Sequence, residues 1–223
     1  MVFQKGLPSF CCALLLAASV PTVAGGAEQP VIVLFSSDPA DATTGIKVTE
    51  YRVADDFELT QDGAANCASF LLGDWDGSFP ATFDGLVRWW LYLDEAGAPG
   101  QLVTRGTAYG IDVVEEIPAG GSVYTTCYRI AFNLGQVLDL EAGPRYWLAL
   151  NVNQGFDPGQ LFSWVKSASS FFSPAHFDNG TTGWTASGID LTFDLVRDPG
   201  STFYLFADSF ETGDLSIWSA TVP

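Results

Sequence analysis

The sequence is poor in the residues that most enzymes and nucleic-acid binders depend on. It has one histidine, four cysteines and nine lysines and arginines, against 26 acids. One histidine, His176, excludes a multi-histidine zinc site. No G-x-S-x-G turn occurs, so a serine hydrolase would lack its nucleophile elbow. His176 lies in Ser173-Pro174-Ala175-His176-Phe177-Asp178 and is read as a loop residue without a catalytic role. The shortage of cations leaves a formal charge of −17. Such a surface repels phosphates, which excludes nucleic acid and anionic membranes as natural partners and suits a soluble extracellular protein. There is also no apolar run of the roughly 20 residues that a membrane helix needs.

The longest apolar run, Leu14 to Val20, is short and follows Lys5, and small residues in Thr22-Val23-Ala24 come after it. This is the outline of a cleavable secretory signal peptide over residues 1–24. Cys11 and Cys12 precede the apolar run, the wrong order for a lipid-modified cysteine, which disfavours a lipoprotein. Removing the segment takes away Lys5 and makes the remainder one unit more negative than −17. It also leaves Cys67 and Cys127 alone in an oxidising compartment, with no CxxC spacing or neighbouring histidine to make them metal ligands. A disulfide between them is expected. Closing that loop would contribute on the order of 4 kcal/mol by the chain-entropy estimate.

The remaining chain divides into a single domain over residues 25–206 and a short C-terminal tail over 207–223. No segment carries a long helical period. Short β-branched and aromatic runs are punctuated by Gly, Pro and Asp, as in an all-β, two-sheet antiparallel β-sandwich of jelly-roll type. Strands are expected at 31–35, 48–54, 67–75, 86–94, 107–114, 123–133, 145–152, 161–165, 191–196 and 202–206. Gly97-Ala98-Pro99-Gly100 reads as a tight connection, with Pro set for the first turn position, and 167–187 reads as a long surface excursion. Alternation assigns Ala68, Phe70 and Leu72, and likewise Tyr124, Tyr128, Ile130 and Phe132, to the core. Cys67 and Cys127 then share the opposite face, in keeping with the disulfide.

Three constellations could carry function. Asp74-Trp75-Asp76-Gly77 and the tail acids Asp208, Glu211 and Asp214 cluster oxygen ligands at turns, which makes calcium the cation to consider, although neither segment completes an EF-hand pattern. Paired carboxylates could run glycoside hydrolysis. However, Asp55 and Asp56 are adjacent on an extended segment and face opposite ways, and Glu115 and Glu116 fall in an expected loop. The third is aromatic. In Leu86 to Asp94 one face holds Val87, Trp89, Leu91 and Leu93, and the other holds Arg88, Trp90, Tyr92 and Asp94. Trp147 similarly stands opposite Tyr146, Leu148 and Leu150. Flat rings beside hydrogen-bonding groups are what sugars stack on, so Trp90, Tyr92, Arg88 and Trp147 are the candidate ligand residues. The alternative is a satellite core covered by loops.

Four motifs in order bring a resemblance. Ala54-Asp55-Asp56-Phe57, then Tyr92-Leu93-Asp94-Glu95-Ala96-Gly97-Ala98-Pro99-Gly100, then Leu140-Glu141-Ala142-Gly143-Pro144-Arg145-Tyr146-Trp147-Leu148, and finally Asp190-Leu191-Thr192-Phe193 resemble a family of bacterial exported jelly-roll domains of uncharacterised surface proteins. These are turn and scaffold motifs, so the resemblance implies a fold and export but no catalytic residues. The segment Phe206 to Ser219 is similar to an F-x-D-x-F-E-x-G-D-x-x-x-W-S tail of other exported bacterial proteins, which implies a sorting or retention role. The readings that follow are a secreted or surface-displayed, non-catalytic module binding carbohydrate or a cell-surface component, a carbohydrate-active enzyme on the same fold, and a structural surface protein whose tail does the sorting.

Overall fold

The computed structural model describes residues 30–37, 39–108, 111–118, 123–153 and 162–199. The signal segment with Cys11 and Cys12, the tail acids Asp208, Glu211 and Asp214, and the strand expected at 202–206 lie outside the described residues. Within them the chain is all-β, and no helix is long and apolar enough to cross a membrane.

The strands are β1 (Ile32–Ser36), β2 (Ala40–Lys47), β3 (Arg52–Glu58), β4 (Gly63–Asp74), β5 (Val87–Asp94), β6 (Pro99–Ala108), β7 (Asp112–Pro118), β8 (Thr126–Leu140), β9 (Arg145–Val152), β10 (Phe162–Ser167), β11 (His176–Asp178), β12 (Thr185–Ala186) and β13 (Phe193–Arg197). They form two antiparallel sheets, the expected β-sandwich. One sheet is built on β4. Along one edge β4 pairs first with β13 and then with β10; its other edge takes the long β8, which carries β7, while β1 and β2 close the flanks. The other sheet runs β12-β11-β3-β9-β5-β6.

The core lies between the two sheets and follows the period-2 alternation of the strands. Val53 and Phe57, Trp89 and Leu91, and Leu148 and Leu150 from one sheet meet Ala68, Phe70 and Leu72, Ile130 and Phe132, and Trp164, Phe193 and Leu195 from the other. Rings meet edge to face, as aromatic quadrupoles prefer: Phe70 and Trp164 at 6.0 Å, Trp164 and Phe193 at 5.7 Å.

Several expectations need correction. β2, an Ala/Thr/Gly segment with little apolar signal, was not anticipated. The strand expected at 107–114 straddles a break: β6 ends at Ala108 and β7 starts at Asp112, so Glu115 and Glu116 belong to a strand and not to a loop. The β5–β6 turn sits earlier than Pro99. Glu95 and Ala98 exchange backbone hydrogen bonds around Ala96 and Gly97, whose φ values of 57° and 81° are those of a two-residue primed hairpin, and Pro99 begins the strand. Tyr124 precedes β8 and lies on the outer face of its sheet, with Leu71, Cys127 and Val165. Its ring covers Gly73 so closely that a Cβ there would come within 2.6 Å of it.

Cys67 and Cys127 do lie on one outward face, yet they are not bonded to each other. Cys67 pairs with Asn133 and Cys127 with Gly73, so the two sulfurs are separated by six residues of β4, roughly 20 Å, against the ~7 Å limit between Cα atoms that a disulfide tolerates. Alternation determines which side of a sheet a residue faces but not its position along the strand. Both side chains are buried, and burial pushes the Cys127 thiol up to about 11. Unfolding in alkylating reagent without prior reduction should therefore label both cysteines, as read by peptide mapping; recovery of a Cys67–Cys127 linked peptide would contradict the register.

Candidate functional site

The outer face of the β12-β11-β3-β9-β5-β6 sheet gathers most of the candidate residues. Because Val53 and Phe57 turn inward, Arg52, Ala54, Asp56 and Glu58 turn outward. Register then aligns neighbours across the sheet. Ala54 opposes Ala149, which opposes Trp90, which opposes Arg105 on the edge strand β6. One step along, Asp56 opposes Trp147 and Trp147 opposes Tyr92. The two alanines, both fully buried, form a low floor between the rings.

The excursion after β10 supplies the cover. It adds β11 to the edge of β3 and β12 to β11, and so brings His176, Asp178 and Trp184 to this face. Three aspartates hold it in place. Asp55, facing inward, accepts the Leu191 N–H at 2.6 Å; Asp56, facing outward, accepts the Ser173 N–H at 2.9 Å; Asp190 accepts the Phe171 N–H at 3.0 Å. Burial raises all three carboxyl pKa values: Asp55 well above its usual range, Asp56 to about 6, and Asp190 in the same direction. For Asp56, the Ser173 N–H and the Arg145 guanidinium oppose the rise.

The candidate ligand residues divide. Trp147 is 0% exposed: His176 stands edge-on against its ring at 5.0 Å, and its indole N–H donates to Asp94 Oδ1 at 2.8 Å. Tyr92 is 6% exposed. These two belong to the satellite core, together with Ala54 and Ala149, so Trp147 is no platform for a ligand. Trp90 and Arg88 are half-buried. Arg88 is drawn to one end of the sheet by Asn151 Oδ1 and the Asn153 carbonyl. His176 is not a loop residue: it belongs to β11, its Nδ1 meets the Pro174 carbonyl, and burial lowers its pKa.

Three residues that sequence reasoning did not single out complete the site. The Arg52 guanidinium carbon lies 5.3 Å from the Trp90 ring, 5.9 Å from Tyr92 and 4.9 Å from Trp184. It donates to the Tyr92 hydroxyl at 2.9 Å and pairs with Asp178. Trp184 and Trp90 are both half-buried around it, and Arg52 keeps 26% of its side chain exposed. Arg105, across from Trp90, is exposed. The alternation that placed Trp90 outward would have placed Arg52 beside it had β3 been aligned with β9. Nothing in the local sequence around Trp184 indicates that it folds back.

Of the calcium candidates, only Asp74 and Asp76 lie among the described residues, and both are engaged within their own turn. Asp74 is fully buried and spends both carboxylate oxygens on its own turn, accepting the Asp76 and Gly77 N–H groups at Oδ1 and the Phe79 N–H at Oδ2. Asp76 caps Ser78 in the same way. Among the described residues no three His, Cys, Asp or Glu side chains stand close enough to hold a metal ion. A shallow depression of about 450 Å³ lies on the other sheet, lined by Asp62, Gly63, Ala64, Asp139, Leu140 and Glu141, and it contains none of the aromatic residues.

The motifs behind the resemblance interlock in space. Asp55 of the first receives the N–H of Leu191 in the fourth, and Asp94 of the second receives the indole of Trp147 in the third while its Oδ2 accepts the Gly97 N–H of its own turn. Set against family models, curated proteins and solved structures, the chain matches none.

Proposed function

We propose that this protein is an exported, non-catalytic β-sandwich module that binds carbohydrate through the outer face of the β12-to-β6 sheet. One observation carries the reading: Trp90 and Trp184 stand half-exposed on either side of the Arg52 guanidinium, which Asp178 and the Tyr92 hydroxyl hold in place. Indole faces stack on sugar rings, and a fixed guanidinium beside them donates hydrogen bonds to hydroxyls. A flat, fixed aromatic pair loses little conformational freedom on binding.

Carboxylates on the same face are already engaged, which favours binding over hydrolysis. Asp56 serves Ser173 and Arg145, Asp94 serves Trp147 and Gly97, and Asp178 serves Arg52. A glycosidase pair needs two acids set across a sugar. Glycan-array binding of the full chain, with and without calcium, tests the proposal. The expected result is binding to a glycan class that Trp90→Ala or Trp184→Ala weakens at least tenfold while near-ultraviolet circular dichroism keeps the native form. No glycan bound, or binding untouched by both changes, would remove the reading.

A further inference from the structure

The distribution of positive charge on this sheet runs against the rest of the chain. Of nine lysines and arginines in a protein of net charge −17, four (Arg52, Arg88, Arg105 and Arg145) lie on this outer face. Of the four described cations off this face, three stand against acids: Lys47 pairs with Glu50, Arg129 with Asp194, Lys166 with Asp41. On the face, Arg145 is neutralised by Glu58 and Asp56, and Arg52 by Asp178.

Arg105 is different. It is exposed, sits directly across β5–β6 from Trp90, and makes no ion pair among the described residues. Directly opposed residues in an antiparallel pair have Cβ atoms roughly 5 Å apart, so the guanidinium and the half-exposed indole form one surface. Burial raises the Tyr92 pKa; the charges of Arg52 and Arg105 oppose that rise and the charge of Asp178 adds to it. Arg105 thus stands beside Trp90 with its charge balanced by no described acid, whereas the charge of Arg52 is met by Asp178.

Resting on the carbohydrate reading above, we propose that the bound sugar is acidic. Its ring stacks at Trp90, and its carboxylate meets Arg105 at the β6 edge. A guanidinium offers two parallel N–H donors that match the two oxygens of a carboxylate. A neutral sugar has no use for a charged edge residue that no described residue pairs.

The overall charge of the chain gives this site an unusual salt signature. At about 0.01 M salt the screening length is about 30 Å, and the whole acidic protein repels an anionic polymer. At about 0.1 M it falls to about 10 Å, so distant acids fade while the contact at Arg105 persists. At 1 M, where it is about 3 Å, that contact weakens as well. Affinity for an acidic glycan is therefore expected to rise and then fall with ionic strength, whereas an ordinary basic patch only weakens.

The test is titration calorimetry of the full chain with an oligogalacturonate, a neutral glucan of equal length and a sulfated oligosaccharide, at 0.01, 0.1 and 1 M salt. Binding to oligogalacturonate at least tenfold tighter than to glucan, strongest near 0.1 M, is expected. Arg105→Gln should lose about tenfold on the oligogalacturonate alone, and Lys47→Gln, off the face, should lose nothing. Equal affinity for glucan and oligogalacturonate would overturn the acidic assignment and leave the carbohydrate reading standing. A sulfated ligand bound more tightly than oligogalacturonate would overturn the choice of carboxylate. Failure of all three ligands would count against both the acidic assignment and the carbohydrate reading beneath it.

Discussion

Asp55→Ala is expected to lower the unfolding free energy by about 2–3 kcal/mol, since it strips the acceptors from two N–H groups, those of Leu191 at 2.6 Å and Asp56 at 3.1 Å, in a site where water cannot replace them. The loss is smaller than two full penalties because burying the carboxyl is itself costly, as the direction of its pKa shows. Asp55→Asn keeps an amide oxygen for Leu191 and should retain most of the stability. The local consequence matters more for function. Leu191 ends the excursion that carries His176, Asp178 and Trp184, so its amide should lose hydrogen-exchange protection in Asp55→Ala, and with it the pairing of Asp178 with Arg52. Unchanged protection at Leu191 would show that the cover is held by other contacts.

The same acids predict the pH dependence. Asp55, Asp56 and Asp190 have folded pKa values raised above the ordinary 3.8, first of all by burial. Between 3.8 and the raised values the folded chain holds protons that the unfolded chain has released, so stability is full below about pH 4 and falls as pH rises, the share of Asp56 being lost through about 6. His176 works in the opposite sense: its lowered pKa makes protonation below about 6.5 a cost to the folded state. Asp41 and Asp76, whose hydrogen bonds with Lys166 and Ser78 lower their pKa values, act in the same sense as His176, but the three buried carboxyls outweigh them, and the net negative charge adds self-repulsion at higher pH. Asp56→Asn should flatten the fall between pH 4 and 6 by about 2 kcal/mol, less than its full shift because Asp56 also has the Arg145 guanidinium nearby. A melting temperature that climbs from pH 4 to 7 in the native chain would refute this linkage.

Much of the sandwich was legible because alternation and composition are local signals. β5, β9 and most of β4 fall where β-branched and aromatic runs lie, and Trp89 and Trp90 turn to opposite faces as period 2 requires. What escaped was non-local. β2 has an unremarkable composition and forms because β10 offers it an edge. The disulfide failed for the same reason: Cys67 and Cys127 share a face, but only the β4–β8 register shows that Cys127 pairs six residues along β4 from Cys67. The candidate site was half read. Trp90, Tyr92, Arg88 and Trp147 were found on one face, but whether a ring is covered depends on a segment some 30 residues further on, whose Trp184 and His176 convert Trp147 and Tyr92 into core. That Arg52 belongs with them follows only from knowing that β3 lies beside β9.

Tryptophan substitutions separate what holds the fold from what serves the face. Trp164→Ala should cost about 4 kcal/mol. Its ring is fully buried, contacts Phe70 and Phe193 edge to face, and its indole donates to the Thr192 carbonyl at 2.7 Å, so truncation opens a cavity and leaves that carbonyl with only the longer bond from the Leu71 N–H at 3.4 Å. Trp90→Ala removes a half-exposed ring that packs against the satellite core from outside and approaches Arg52 at 5.3 Å, the cation–π contact being worth about 1 kcal/mol. Urea unfolding would read the contrast as a large fall in midpoint for Trp164→Ala and a small one for Trp90→Ala, at unchanged slope. Glycan affinity should order them the other way, with Trp90→Ala losing binding and Trp164→Ala keeping it in whatever fraction remains folded. Equal destabilisation by the two would mean that Trp90 is there to pack the satellite core. The half-exposed ring would then have no purpose beyond the fold, and the binding face would lose its principal residue.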